Sequence, residues 1–364
     1  MHVDEKFFGR EAFTVKFPVL TDEERALRLV PPKGKVRAVI DSDTYNEVDD
    51  QFAIAYALMS PERLDVQAIY AAPFSSAFLA RMMNADVNIP MTADLQEGLE
   101  QSYQESLHLF SLMNRDPKGM VFRGSPSYLT DRETPVESEA ARDLVCRAHE
   151  SDEPLYLIAI GEITNVASAI LMDPSIIKKI VVVWLAGQPF YWPHTIEFNL
   201  GQDMLASHLI VECGVPLGLV PCMTVASNLT VTAPELERNM KGKSRVGTYL
   251  TENVVSQLTQ EMGMNWLRLF HKTYGKGLDD YGEAGEPYTN TAISPSRIIW
   301  DISTVAYMVN PTWCPSVLVR LPKLTDEICW DCSTDVGHTA RICRYIYRDA
   351  VFGDMFAKLA RAPR

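Results

Sequence analysis

The densest chemistry in the sequence lies between residues 41 and 50, which read Asp-Ser-Asp-Thr-Tyr-Asn-Glu-Val-Asp-Asp. Five of these ten side chains are carboxylates. Two unit charges ~4 Å apart interact by about 4 kcal/mol at an effective dielectric near 20. A helix N-terminus offers each nearby anion only about 0.3–1 kcal/mol. A hard divalent cation would relieve the repulsion, and Ca²⁺ takes more protein oxygens than Mg²⁺ does.

A solvated acidic loop that caps a helix is the competing interpretation, because acidic residues are common where helices begin. Asp49 and Asp50 fit that role. Asp41 and Asp43 follow an apolar strand directly, so the four aspartates cannot all be caps. The pattern therefore favours a metal-binding or catalytic loop.

The elements around this loop are those of a parallel sheet. A β-branched run over residues 36–40 precedes Asp41, an Ala- and Leu-rich helix is predicted over 51–60, and a second strand over 64–70. This β–loop–α–β order is the repeating unit of parallel sheets. Open α/β sheets bind ligands beyond the carboxyl ends of their strands. The sequence therefore places the acidic loop at the ligand-binding edge.

The same alternation continues along the chain with no linker. Further strands are predicted over 155–160, 180–185, 217–220, 316–321 and 340–347, and helices over 165–171, 202–213, 234–275, 301–309 and up to residue 360. We predict an α/β fold with a Rossmann-like, open, mainly parallel sheet and helices on both faces. We expect a single domain over residues 36–364, preceded by an N-terminal extension over 1–35.

The composition of the sequence argues against several classes of binding partner and of cellular location. The net charge of -13 argues against a protein that binds nucleic acid or an anionic membrane surface. Seven scattered cysteines are unlike a secreted disulfide framework, and the Cys329/Cys332 pair lacks the second pair of a zinc finger. The charged first residues do not resemble a signal peptide, and no apolar run approaches the roughly 20 residues of a membrane helix. We expect a soluble, cytoplasmic protein that acts on a small molecule.

Two known families place D-x-D after a strand. Residues 41–44 fit the D-x-D-x-T of haloacid-dehalogenase-type phosphatases, with Asp41 as nucleophile, but the Lys and acidic pair that those enzymes need downstream are not found. The loop also resembles the N-terminal signature of the inosine–uridine nucleoside hydrolases, an Asp-rich loop that closes in Asp-Asp before an Ala/Leu-rich helix. Here the loop is two residues longer, and T-Y-N-E-V stands where the family has Pro-Gly.

Three further segments resemble the same family in the expected order. Residues 161–167 resemble its G-x-L-T-N-I-A, Glu197-Phe198-Asn199 with Asp203 resembles E-F-N-x-x-x-D, and residues 300–307 resemble H-D-P-x-A-V-A-Y. Together with the acidic loop, these segments span roughly residues 36–310. The resemblance implies a nucleoside hydrolase fold and hydrolysis of the N-glycosidic bond of a ribonucleoside to free base and ribose.

The resemblance also implies a set of site residues. One Ca²⁺ per subunit would be held by Asp43, Asp50, Asp301 and the main-chain carbonyl of Ile160, with Asp43 also the general base. The residues expected to bind the substrate are Asp49, Asn46, Glu197, Asn199, Trp300 and Tyr191. Asp49 and Asn199 would hold ribose hydroxyls, and Glu197 the 5′ end. A homodimer or homotetramer is expected by resemblance alone.

The leaving base is the open question, because Trp300 replaces the histidine that several family members use there. Tryptophan cannot donate a proton near neutral pH, but it can stack on a base. His194 is a candidate acid, although an exposed loop histidine without a role is an equal interpretation. Stacking on Trp300, Trp192 or Tyr191 is the alternative. A ribosyl-binding relative that has lost activity therefore remains a second hypothesis.

Overall fold

The structure is a computed structural model that describes residues 14–75, 92, 94–259, 296–333 and 337–364. Within these residues the strands are β1 Val36–Ser42, β2 Leu64–Ala71, β3 Val121–Arg123, β4 Leu155–Ala159, β5 Ile180–Leu185, β6 Leu217–Val220, β7 Thr230–Thr232, β8 Ser296–Ile298, β9 Ser316–Arg320, β10 Lys323–Leu324, β11 Trp330–Asp331 and β12 Thr339–Cys343. The helices are α1 Asp22–Arg28, α2 Asp50–Leu58, α3 Leu95–Leu112, α4 Glu139–His149, α5 Thr164–Met172, α6 Phe198–Gln202, α7 Met204–Glu212, α8 Ala233–Asn239, α9 Arg245–Thr259, α10 Ile302–Val309 and α11 Arg348–Leu359.

Eight strands form the central sheet, in the order β3-β2-β1-β4-β5-β6-β12-β9. All neighbours are parallel except the edge strand β9, which runs antiparallel to β12. The strands between β1 and β6 are joined by stretches that contain helices, as parallel pairing requires. The prediction of an α/β fold with an open, mainly parallel sheet is confirmed. Two small antiparallel ribbons, β7-β8 and β10-β11, complete the strands.

Helices cover both faces of the sheet, because alternate side chains of each strand enter different cores. In β5, Val181 and Val183 belong to one apolar cluster, with α2, α9, α10 and α11. Val182 and Trp184 belong to the other, with α4, α5 and α7. Strands buried on both faces read as continuous apolar runs, which is why IVVVWL predicted β5 so well.

The strand order reverses between β1 and β4, since β2 and β3 lie on one side of this pair and β5 and β6 on the other. Such a reversal opens a crevice at the carboxyl ends of the two strands, where open α/β sheets bind ligands. The acidic loop follows β1, and Ile160-Gly161 follows β4. The fold therefore directs both segments into this crevice.

Some predicted boundaries were wrong. The helix predicted over 202–213 is two helices that meet at Asp203, whose Oδ1 accepts from the Ala206 N–H at 3.0 Å and begins α7. The strand predicted over 340–347 ends at Cys343, and the exposed Tyr345 and Tyr347 lie beyond it. Residues 260–275 of the predicted helical stretch lie outside the described residues.

The part of the N-terminal region that the structure describes packs on the sheet. Asp22 of α1 pairs with Arg320 of β9 at 2.8 Å and accepts from the Thr339 hydroxyl of β12 at 3.0 Å. The boundary between an extension and the domain stays a prediction. Among the described residues, no helix combines the length and apolarity needed to span a membrane.

Candidate active site

The acidic loop places four aspartates in the interior. Asp41 ends the apolar part of β1, and α2 begins at Asp50, with irregular backbone between. Asp41, Asp43, Asp49 and Asp50 are each no more than 2% exposed. Buried carboxylates at this density are costly unless cations or hydrogen bonds compensate them. The placement therefore supports the binding interpretation over a solvated capping loop.

Asp301 joins this group although it lies 252 residues after Asp49 in the sequence. It precedes α10, and its N–H donates to Oδ2 of Asp49 at 3.2 Å. Asp49, Asp50 and Asp301 each place a carboxylate oxygen within 4.8 Å of the others. Three buried carboxylates at this spacing are a donor set that suits a hard divalent cation. We call Asp49, Asp50 and Asp301 the three-acid group. It contains Asp49, for which the family resemblance implies contact with a ribose hydroxyl, and it does not contain Asp43.

Asp43 lies against the Gly161 turn after β4. A Cβ atom at Gly161 would lie 2.9 Å from the Asp43 nitrogen and 3.1 Å from its Oδ1, so only glycine fits there. Oδ2 of Asp43 is buried and has no hydrogen-bond partner among the described residues. An oxygen without a partner in the interior is the position expected of a group that binds a cation or accepts a proton from water.

The electrostatics of the group follow from burial and crowding. Burial raises the pKa of Asp50 to about 7, although a 2.6 Å hydrogen bond from the Ser42 hydroxyl lowers it in part. Burial and then the charge of Asp50 raise the pKa of Asp43 well above its usual range. Burial followed by the charges of Asp49 and Asp50 does the same for the pKa of Asp301. A divalent cation would reverse these shifts, because it favours the ionised carboxylates.

Asp41 is not placed as a nucleophile. It is fully buried, and its Oδ1 accepts from the Asn165 amide at 2.8 Å. Oδ1 of Asn165 in turn accepts from the Ser125 N–H at 2.7 Å. Asp41 is therefore linked through Asn165 to the start of α5 and to Ser125. Nothing in the sequence indicated Asn165 or Ser125 as partners.

The side chains of Glu197 and Asn199 form hydrogen bonds with nearby backbone groups. The Glu197 carboxylate caps α6 by accepting from the N–H groups of Asn199 at 3.0 Å and Leu200 at 3.1 Å, and also from Gly187 at 3.0 Å. Burial raises the pKa of Glu197 to about 7, opposed by these donors.

The Asn199 amide donates to the carbonyls of Ile160 at 3.1 Å and Leu185 at 2.9 Å. The fold therefore brings the predicted carbonyl ligand and the predicted sugar ligand together, at the carboxyl ends of β4 and β5. The sequence did not reveal that Asn199 also supports that carbonyl.

The aromatic loop over residues 188–194 is fixed at its base and exposed at its tip. Gln188 is buried, and its carbonyl accepts from the Trp330 indole at 2.9 Å. Tyr191 is 76% exposed, with its hydroxyl 3.1 Å from that of Thr224, which follows β6. Burial lowers the pKa of His194, which favours the neutral ring at pH 7 and weakens it as a proton donor.

Trp300 is half-buried and packs against the apolar cluster that contains α2 and α10. It directly precedes Asp301 in the sequence. Asn46 is also half-buried in the acidic loop, where its N–H donates to the Asp43 carbonyl at 2.8 Å. The roles predicted for Trp300, Asn46, Tyr191 and His194 stay predictions.

Two further features of this region gave no signal in the sequence. Glu47 forms an ion pair with Arg297 of β8. Cys222 follows β6, and after burial the negative charges of Glu197 and Glu47 are the largest causes that raise its pKa. The thiol therefore lies within the electrostatic reach of both the sugar segment and the acidic loop.

Comparison with known proteins identifies a family. The family model described as inosine-uridine preferring nucleoside hydrolase matches residues 38–345. The chain is 22% identical over 289 residues to the pyrimidine-specific ribonucleoside hydrolase RihB of Escherichia coli, a match that covers 76% of this chain and 79% of that protein.

Solved structures show the same fold. The plant nucleoside hydrolase PpNRh1 matches with a TM-score of 0.60 at 20% identity, covering 90% of this chain and 99% of its own. The purine-preferring ribonucleoside hydrolase from Gardnerella vaginalis matches with a TM-score of 0.61 at 16% identity, covering 89% and 98%.

Fold and site together define an α/β enzyme of the class that hydrolyses N-glycosyl bonds. The chain belongs to the inosine-uridine preferring nucleoside hydrolase family. The family prediction made from the four sequence segments is confirmed.

Proposed function

We propose that this enzyme hydrolyses the N-glycosidic bond of a ribonucleoside to free base and ribose, with one Ca²⁺ per subunit. The observation that carries the proposal is the meeting of buried carboxylates from the acidic loop and from Asp301 in the crevice between β1 and β4. When bound, the cation would make a coordinated water more acidic and hold it in place. Asp50, Asp301, Asp43 and the Ile160 carbonyl are the proposed ligands, and Asp49 is close enough to join them.

The remaining steps fall to the side chains of the chain itself. Asp43 has a buried oxygen without a hydrogen-bond partner among the described residues, which suits a base that takes a proton from the attacking water. Asp49 and Asn199 would accept from ribose hydroxyls, and Glu197 from the 5′ hydroxyl. These contacts catalyse the reaction to the extent that they strengthen as positive charge develops on the sugar.

The leaving base would be bound by stacking on an aromatic side chain, Trp300 or Tyr191, rather than protonated by His194. The lowered pKa of His194 supports this choice. Stacking without a protein acid suits a purine, because the leaving purine can take up a proton from solvent at N7. We therefore propose purine ribonucleosides as the first substrates to test.

The direct test is release of base and reducing sugar from a panel of purine and pyrimidine ribonucleosides, with Ca²⁺ present and after chelation. Asp301→Asn should abolish turnover and weaken Ca²⁺ binding, whereas Asp331→Asn, at a half-buried position in β11 outside the three-acid group, should change neither. Wild-type protein that binds Ca²⁺ and releases no base from any member of the panel would refute the proposed substrate class.

A ribosyl-binding protein without turnover is the second candidate, favoured by Trp300 in the position of the usual histidine. Thermal stabilisation by ribose in the absence of any base release would support it. The expected homo-oligomer is checked separately by light scattering of the purified chain.

A further inference from the structure

The Glu47–Arg297 ion pair is not used by the function proposed above. It joins Nη2 of Arg297 to Oε2 of Glu47, with side chains 12% and 20% exposed respectively. Glu47 lies two residues before Asp49, and Arg297 four residues before Asp301. The pair therefore connects the two chain segments that supply the three-acid group.

Arg297 lies in a strand, whereas Glu47 lies in an irregular loop. Arg297 lies in β8, opposite Val231 of β7, and the next residue but one, Ile299, donates its N–H to the Leu229 carbonyl at 2.9 Å. The loop over residues 43–49 has no regular structure and contains neither proline nor glycine turn residues. A loop of this kind has many conformations to lose on folding, so a side chain tied to a strand has a large effect on it.

A second contact runs beside the first. The Asp301 N–H donates to Oδ2 of Asp49, so the loop touches the segment 297–301 at two points. The positive charge of Arg297 also faces Asp49 and opposes the repulsion from Glu47 and Asp50. Loss of the arginine would leave the Glu47 charge uncompensated beside three buried acids, which would push the loop away from Asp301.

We propose that Glu47 and Arg297 are positioning residues, whose ion pair holds the acidic loop against β8 and so sets the spacing between Asp49 and Asp301. Neither side chain needs to touch the substrate for this role. The inference rests on the proposed function where activity or Ca²⁺ affinity is the readout, and hydrogen exchange tests it independently.

The experiment compares wild-type full-length protein with Glu47→Gln, Arg297→Gln, Arg297→Lys and the double variant E47Q/R297Q. The first readout is amide hydrogen exchange in peptides covering 43–50 and 297–304. Either single glutamine variant should speed exchange in both segments, although each substitution lies in only one. Arg297→Lys keeps the charge and should restore part of the protection.

The second readout is Ca²⁺ affinity by calorimetry, together with kcat and KM. A shift of about 1 Å in a site can cost on the order of 100-fold in rate, so each single glutamine variant should lower kcat at least about tenfold, with a smaller change in KM. The double variant should be no worse than the poorer single variant, because both changes break the same contact.

The matched control is Arg147→Gln. Arg147 and Asp143 form a pair of similar burial, 16% exposed on each side, in α4. The Arg147 side chain also donates to the Gly119 carbonyl, and its own carbonyl accepts from Arg37 at the start of β1, so the pair lies outside the three-acid group. This variant should lose stability and keep wild-type kcat, KM and Ca²⁺ affinity.

Two results would overturn the inference. One is wild-type exchange in both segments of the glutamine variants, and the other is losses of Ca²⁺ affinity that simply add in the double variant. Absence of base release or of Ca²⁺ binding in wild-type protein would refute the proposed function alone, since hydrogen exchange would still decide whether the pair positions the loop.

Discussion

Replacing Gly161 by alanine should disable the site through one added methyl group. The new Cβ would lie 2.9 Å from the backbone nitrogen of Asp43 and 3.2 Å from its Cγ, both closer than ordinary contact. Neither atom can give way cheaply, because Asp43 is buried and follows β1 directly. Overpacking of this kind costs about 1–3 kcal/mol. The clash falls on the proposed base, so activity should fall more than stability.

The magnitude can be followed by calorimetric unfolding. With an unfolding entropy near 2.1 cal/mol/K per residue, 364 residues convert 1–3 kcal/mol into a fall in Tm of roughly 1–4 °C. Base release should fall by at least about 100-fold, the order that a misplacement of about 1 Å produces. Ca²⁺ affinity should weaken as well, since Asp43 is a proposed ligand.

The control is Gly353→Ala in α11, where an added Cβ meets nothing within 4 Å. Alanine is the better helix former by about 0.8–1 kcal/mol, so this variant should be slightly more stable than wild type and fully active. A Gly161→Ala protein with wild-type Tm, Ca²⁺ affinity and turnover would refute the reasoning, because it would mean that the turn and Asp43 separate without cost.

The other expectations concern the acids and their partners. Asp41 and Asp50 have higher pKa values in the folded chain than in the unfolded chain, so in the absence of a cation the folded chain binds more protons between pH 7 and pH 4. The Tm of the chelated protein should therefore rise as the pH falls over this range. A flat or falling Tm in circular dichroism melts would contradict the raised pKa values. Ca²⁺ affinity should fall over the same range, since protons compete with the cation, and calorimetry at several pH values measures it. Ser42→Ala removes a 2.6 Å hydrogen bond to Asp50 and should cost about 1–3 kcal/mol of stability, whereas Ser333→Ala, at an exposed turn, should cost nothing in the same melts. Asn165→Ala leaves Asp41 buried without its donor, and its loss of stability should be larger at pH 8 than at pH 5, where Asp41 is neutral.

Much of the sheet could be predicted from the sequence because strands such as β4 and β5 are short apolar runs bounded by polar residues, whereas the short strand β3 was missed. Residues 155–159 and 180–185 are buried along their whole length, so their pattern had few alternatives. The acidic loop could be predicted because its carboxylates are contiguous and follow β1. Local patterns of this kind need no knowledge of the rest of the fold.

The geometry of the site could not be predicted in the same way. Side chains in the irregular loop 43–49 follow no period, so the sequence could not show that Asp49 rather than Asp43 lies with Asp50 and Asp301. The Glu47–Arg297 pair joins residues 250 positions apart, and neither residue type is unusual. The sequence resemblance predicts that Asn199 binds the sugar. Only the pairing of β4 with β5 shows that its amide also donates to the Ile160 carbonyl.

The distance along the chain between Asp50 and Asp301 has a consequence for how the protein reaches its native state. The two carboxylates are adjacent only when the segment before α10 lies against the acidic loop, so a chain in which these segments are apart lacks the complete three-acid group. A ligand that binds only the native state stabilises it by mass action. The proposed Ca²⁺ would therefore bind only to chains that have nearly finished folding, and it would slow their unfolding without speeding their folding.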